Sequence, residues 1–292
     1  MQNRIAAMIL AVVSVLFLSA ALAQTAHAQV DSDGWKACPR CQNNDTRAEA
    51  WEEARIDEIT DYDPLDLSGV WGYNGVGRAF RNNAPPFTPY GQELHEQTLG
   101  VMPPNGRLRY NMGSEKDYSL LNCDPLGNPR LFTYNYGFEF VMLPDRVLQF
   151  FELGHTWRTI WTDGRRLPEV AAVPNWLGWN IGYWEGDTFV IESTGFDERS
   201  WIERSPAIDG RPGGGYPHSE EMHVEERYTR TAFGSLEGQV TVTDPLVYTE
   251  PWVTDTATID LVPGAELWEL VLVGSDVGKV PLTWQIDQVA VE

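Results

Sequence analysis

Two runs of this chain place ionisable side chains where strand residues belong. Trp184 to Ser200 reads WEGDTFVIESTGFDERS, and Pro217 to Arg230 reads PHSEEMHVEERYTR. A strand buries one face, and a charged group there is costly unless it is paired or used. In the second run, alternation puts Met222, Val224, Glu226, Tyr228 and Arg230 on one side, with His223, Glu225, Arg227 and Thr229 on the other. The first side holds the apolar residues, so it is expected to face inward and to carry Glu226 with it. In the first run Phe189, Ile191 and Ser193 share one face, and Val190, Glu192 and Thr194 the other. Glu192 sits beside an apolar valine on its face and is expected to point at an interior as well. Two inward carboxylates could serve proton abstraction or glycosidic cleavage. The competing reading pairs Glu226 with Arg158 or Arg230 as a staple between strands.

In the catalytic reading Glu226 is the general acid or base, with Glu192 as the second carboxylate and His223 or His155 as its partner. Arg158 or Arg227 would hold an oxyanion or carboxylate, and Tyr228 would line the same face. His155 shares a strand side with Trp157 and Trp161, an arrangement that suits either a ligand contact or a satisfied core histidine. No metal is expected: His218 and His223 bracket Ser219-Glu220-Glu221 without the HExxH spacing, and strand geometry sends their rings to opposite faces. Ser219 lacks a GxSxG elbow. Gly75-Val76-Gly77 lacks the third glycine and the βαβ setting of a dinucleotide fingerprint, so no cofactor is expected.

The elements that must position these groups are mostly strands. Runs rich in β-branched and aromatic residues, separated by turn residues, place strands at 131–135, 138–143, 147–152, 155–161, 180–184, 188–194, 221–230, 238–243, 258–261, 267–273 and 282–290. Glu185-Gly186-Asp187 supplies a tight hairpin turn. Helix is expected only at Thr46 to Ile59 and, briefly, at Gly91 to Gln97. Strand after strand without intervening helices implies an all-β, antiparallel barrel or sandwich, in one domain over 67–292 behind a polar extension at 29–66.

Residues 1–28 read as a secretory signal peptide. Arg4 precedes an uncharged apolar run from Ile5 to Ala23, and the small-x-small exits Ala21-Leu22-Ala23 and Ala26-His27-Ala28 follow. The mature chain would start near Gln29, outside the cytoplasm and with no membrane insertion. In an oxidising compartment Cys38 and Cys41 of the CxxC are expected to form a local disulfide, since the other two zinc ligands are missing and the setting is not βαβ. Cys123 would remain single. The chain carries 42 acidic against 21 basic residues, a net charge of −21. Such a field repels phosphate backbones, which excludes nucleic acid as a partner and leaves small molecules.

An ordered series of motifs resembles a large, mostly uncharacterised family of secreted bacterial proteins. It runs Leu67-Ser68-Gly69-Val70-Trp71, then Pro85 to Gly91 (PPFTPYG), Cys123-x-Pro125-x-Gly127-x-Pro129-Arg130, and Arg158 to Arg165 (RTIWTDGR). It continues with Trp184-Glu185-Gly186-Asp187-Thr188, then Pro217-His218-Ser219-Glu220 followed by His223, Glu226 and Arg227, and ends at Asp244-Pro245 through Pro251-Trp252. Many relatives close on a Cys-His-Glu-Gly-Asn-like segment that Leu267 to Asp276 lacks here. The resemblance implies a secreted or periplasmic location. Gly69-Val70-Trp71 is also similar to the Gly-x-Trp opening of lipocalin-like barrels, whose interior holds one small ligand. Two functions follow. One is a cofactor-independent isomerase, lyase or hydrolase for a small apolar or aromatic molecule; the other is a carrier that binds a hydrophobic ligand unchanged. A histidine within reach of Glu226 would favour the first, and a bidentate arginine the second or a purely structural role.

Overall fold

The computed structural model describes residues 55–72, 85–101, 116, 117, 119, 124–134, 136–169, 173–206, 208, 209, 211–262 and 267. Ten strands lie among them: β1 (Gly69–Trp71), β2 (Phe138–Met142), β3 (Arg146–Phe151), β4 (Thr156–Trp161), β5 (Trp179–Glu185), β6 (Thr188–Thr194), β7 (His223–Ala232), β8 (Ser235–Thr243), β9 (Trp252–Val253) and β10 (Ala257–Asp260). They form one sheet in the order β1-β2-β3-β4-β5-β6-β7-β8-β10, with β9 joined to β8. The fold is all-β, an antiparallel-rich sheet curled into a half-barrel. Its outer strands approach each other at a bridge between Trp71 and Leu261, where the Val262 amide donates to the Val70 carbonyl at 2.8 Å.

One seam departs from the expected antiparallel pattern. β4 and β5 run parallel and pair only through Ile160 with Asn180 and Trp161 with Ile181. A parallel neighbour cannot be reached by a tight turn, so the chain crosses over between Trp161 and Trp179, and among the described residues Thr156 to Thr159 have no strand partner on that side. The β5–β6 connection is the expected tight hairpin, with Gly186 at φ 62°, a conformation that glycine adopts without penalty. Gly182 on β5 answers a different need. A Cβ there would lie 2.5 Å from the Phe189 ring and 2.8 Å from Ile160, so its absence lets both side chains fill the interior.

The inner face is packed in two apolar clusters. Trp71, Phe138, Phe140, Val147, Phe151, Ile160, Phe189, Ile191, Tyr228, Leu236 and Ile259 belong to the first. Met222, Val224, Val240, Val242, Val247, Tyr248 and Trp252 belong to the second, against Phe87 and Leu94. Each fully buried side chain of this size contributes about 1.5–3 kcal/mol. Leu94 comes from helix α1 (Pro89–Thr98), which begins earlier than the expected Gly91 because proline occupies its first turn and Thr88 Oγ1 accepts from the Gly91 amide at 3.0 Å.

The strands expected between 138 and 261 are all present, as β2 to β8 and β10. The strand expected at 131–135 is not: Arg130–Thr133 is a 3-10 turn. All four of its residues are buried, a continuous rather than alternating pattern, because the turn plugs the interior instead of forming part of its wall. Of the helix expected at 46–59, the described part holds only a 3-10 turn at Ile56–Glu58. The signal segment, Cys38, Cys41, Cys123, Gly75 to Gly77, the strand at 282–290 and all but Leu267 of the strand at 267–273 lie outside the described residues.

Candidate functional site

Glu226 is fully buried, on the inner face that alternation assigns to it. Arg158 grips it with both terminal nitrogens, Nη1 to Oε1 and Nη2 to Oε2, each at 2.7 Å. Asn128 Nδ2 donates to Oε1 and the Tyr228 hydroxyl to Oε2, both at 3.0 Å. Arg158 also donates to Gln149 Oε1 at 2.8 Å and to Asn180 Oδ1 at 3.1 Å, and Ser193 Oγ donates to the same Asn180 oxygen at 2.7 Å. The network therefore threads β3, β4, β5, β6 and β7. Its Arg158–Asn180 bond spans the parallel seam, where the strands pair at two positions. Burial, then the Glu226 charge, lifts the Tyr228 phenol well above its ordinary range.

The remaining carboxylate and histidine candidates lie on the other face. Glu192 opposes Glu225 across β6 and β7, while Ile191 opposes Glu226, so the sheet separates the two carboxylates expected to work together. Glu192 instead accepts from the Tyr183 hydroxyl at 2.7 Å and sits 3.4 Å from His223 Nε2. The hydrogen bond to Glu192 pushes the Tyr183 phenol up to about 12. Arg227 pairs with Glu185 at 2.6 Å on this half-exposed face. Arg230 leaves Glu226 altogether and donates to the backbone carbonyls of Asp66 and Phe233. His155 stands in the turn before β4 at φ 44° and is exposed, away from the network.

At the seam the unpaired half of β4 opens a groove of about 660 Å³ on the outer face. Trp157, Trp161, Trp176 and Trp179 line it, with Leu167, Pro168 and Leu177, and with Arg165 and Arg166 at its side. Arg158 and Asn180 reach it from the buried network. Three of the four indoles are held in place. Trp161 is clamped between the guanidinium groups of Arg146 at 4.1 Å and Arg165 at 3.6 Å, which are themselves tied to Asp145 and Asp163. Hydrogen bonds from Arg165 pull the Asp163 carboxyl down to about 2. Arg199 lies 4.6 Å over Trp176, and Trp179 Nε1 donates to the Val173 carbonyl at 3.1 Å. Trp157 is 56% exposed and Trp179 41% exposed, so large apolar faces are presented to solvent. Trp176 and Trp179 escape a strand-based reading because they sit in and just after the crossover. The available signal is density: five of the 12 tryptophans fall between Trp157 and Trp184.

A second buried polar group was also missed. His218 Nδ1 faces the Ser219 carbonyl at 3.1 Å and its Nε2 faces Ser200 Oγ at 2.8 Å. Burial lowers the His218 pKa; Nδ1 faces a carbonyl that can only accept and so carries the proton, while Nε2 competes with the Asp197 carbonyl, 3.0 Å away, for the Ser200 hydroxyl proton. The pair has the geometry of a nucleophile and base. Ser200 is nevertheless 1% exposed and roofed by Gly127, where a Cβ would meet Ser200 Oγ at 2.7 Å. His218 borders a cavity of about 270 Å³, but Ser200 is not among the residues that line it. Ser219 is likewise fixed, by its hydroxyl to Asp244 at 2.8 Å.

His95, stacked between Phe87 and Tyr216, is also lowered by burial. Both imidazoles resist protons that the unfolded chain accepts near 6.5. Below that value the unfolded state binds more protons, so stability falls as pH falls. Urea midpoints are expected to drop between pH 7.5 and 5.5, a window above the titration of ordinary carboxylates. The drop should shrink in His218→Asn. A flat profile across that window would contradict this account.

Fold and site together define an all-β protein with an ionic network inside its curled sheet and an aromatic groove at the parallel seam. No family model, curated protein or solved structure matches the chain. Among the described residues no cluster of His, Cys, Asp and Glu could hold a metal ion, and no helix is long and apolar enough to cross a membrane.

Proposed function

We propose that the protein is a secreted or periplasmic binding protein for a small, flat apolar or aromatic molecule, held between the indoles of the seam groove. The observation that carries this reading is the groove itself, with three of its four tryptophans fixed by arginine stacking or a backbone hydrogen bond before any ligand arrives. Preorganised aromatic surface binds without the cost of ordering it. Binding is favoured over turnover by the state of Glu226. Both of its oxygens are occupied by Arg158, and the histidine-bearing pair, His223 with Glu192, does not line the groove. The apolar leader-like segment and the resemblance to secreted proteins support the compartment. The acidic charge supports a small molecule rather than nucleic acid as partner.

N-phenyl-1-naphthylamine, an uncharged aromatic fluorophore, is a suitable probe. One aromatic contact is worth about 0.5–1.5 kcal/mol beyond the area it buries. Trp176→Ala and Trp179→Ala are therefore each expected to weaken its binding about tenfold, with the circular dichroism spectrum unchanged. Tyr90→Ala, at an exposed aromatic outside the groove, should bind as the wild type does. Equal affinity in all four proteins would overturn the proposal.

A further inference from the structure

A second cavity, of about 520 Å³, opens on the outer face and is lined by Glu139, Phe150, His155 and Trp157. Strand register defines its floor. Glu139 on β2 opposes Phe150 on β3, and Phe150 opposes Trp157 on β4, so the three side chains form one row across the sheet, with about 4.8 Å between strands. Phe150 and Trp157 make an angled aromatic wall, their ring centroids 6.3 Å apart and their planes inclined by 36°. Glu139 is half-buried beside this wall. Its carboxyl is lifted above the ordinary range by desolvation, and no cation among the described residues offsets it.

The complement of such a site is specific. A carboxylate short of water and of counter-charge attracts a cation, and aromatic faces carry negative potential that does the same. The chain's net charge of −21 concentrates cations in its clefts and disfavours anions. An inorganic divalent ion needs several oxygen ligands, and the lining offers a single carboxylate. A cation with an apolar coat satisfies both the charge and the rings.

We propose that this cavity is a binding site for an organic ammonium ion, its charge held by Glu139 and its alkyl groups by Phe150 and Trp157. Trp157 forms the wall common to this cavity and the seam groove, but the site stands without the groove's proposed role. His155 is the other titratable group in the described lining. Affinity therefore rises with pH as Glu139 ionises.

Choline and its uncharged isostere 3,3-dimethylbutan-1-ol separate charge recognition from shape. Calorimetric titration of the full chain should show choline binding at least about tenfold tighter than the alcohol, as expected for a cation facing rings and a carboxylate. Glu139→Gln should abolish that preference and the acid limb of the pH profile, while keeping the wild-type circular dichroism spectrum. Trp157→Ala should weaken choline. Trp179→Ala, which changes only the seam groove, should leave choline binding intact even though it weakens N-phenyl-1-naphthylamine. Absence of choline binding at millimolar concentration overturns the proposal, as does equal binding of the isostere or a Glu139→Gln protein that keeps the preference.

Discussion

Glu226→Gln is expected to lower unfolding stability by about 3–5 kcal/mol, the usual penalty for removing one partner of a buried ion pair. Arg158 and Glu226 side chains are 1% and 0% exposed, so the orphaned guanidinium has no route to water. The neutral amide keeps one acceptor but no charge, and the Tyr228 and Asn128 donors compete for it. Gln149 and Asn180 still accept from Arg158, which limits the loss without neutralising the cation. Replacing both partners, as in Arg158→Met with Glu226→Leu, removes the buried charge altogether and should cost less than the sum of the two single changes. Denaturant midpoints of the wild type, the three single variants and the double variant measure this directly. A Glu226→Gln protein with the wild-type midpoint would mean that the guanidinium is neutralised elsewhere.

The same network shows how far the sequence could be read. Period-two alternation identifies the inner face of β7 and puts Glu226 on it, because strand geometry is local. It also offers Arg158 and Arg230 as partners. The choice between them is tertiary: Arg230 lies where β7 meets a register shift between Arg230 and Ala232, and its guanidinium turns to nearby carbonyls. Glu192 misleads because Val190, its neighbour on the outer face, is also fully buried, so an apolar neighbour does not mark the interior there. Leu131 to Thr133 has strand composition but is drawn inward as a plug. The Ser200–His218 pair and the tryptophan groove depend on loops meeting across the fold, for which the chain carries no periodic signal. Hairpins and faces were thus legible, whereas the candidate site, built at a crossover, was legible only as a density of tryptophan.

The parallel seam explains why a costly buried pair is worth keeping there. With two backbone-paired positions between β4 and β5, the side-chain network is a second tie between the strands that carry Trp157, Trp161 and Trp179. Arg158 joins the two strands through Asn180 and anchors both to β7 through Glu226. The groove's geometry and the network's integrity are therefore linked: loosening the staple should blur the spacing of the indoles before it unfolds the sheet.

Asp117→Ala should be at least as damaging as Glu226→Gln, about 3–5 kcal/mol or more. Arg130 is fully buried, and Asp117 meets it with both oxygens, at 2.9 and 2.5 Å. Burial alone would pull the guanidinium pKa down; Tyr134 and Asp117 together outweigh it and drive the value up. Among the described residues, the Tyr134 hydroxyl at 3.2 Å, its ring at 6.0 Å and the Trp201 ring at 5.3 Å are what remain without Asp117, fewer acceptors than Arg158 retains without Glu226. Trp201 cannot retreat, since Gly215 packs against it so closely that a Cβ there would lie 1.8 Å from the ring. Arg130→Lys should also destabilise, because an ammonium cannot reproduce the two-pronged contact. The two buried pairs meet at one turn: Asn128 donates to Glu226, and Arg130, two residues on, binds Asp117. Asp117→Ala and Glu226→Gln should therefore be non-additive, with a coupling energy of about 0.5–3 kcal/mol in a double-mutant cycle. Strict additivity would show that the turn transmits nothing between them, and a mild Asp117→Ala would show that aromatic faces suffice to hold Arg130.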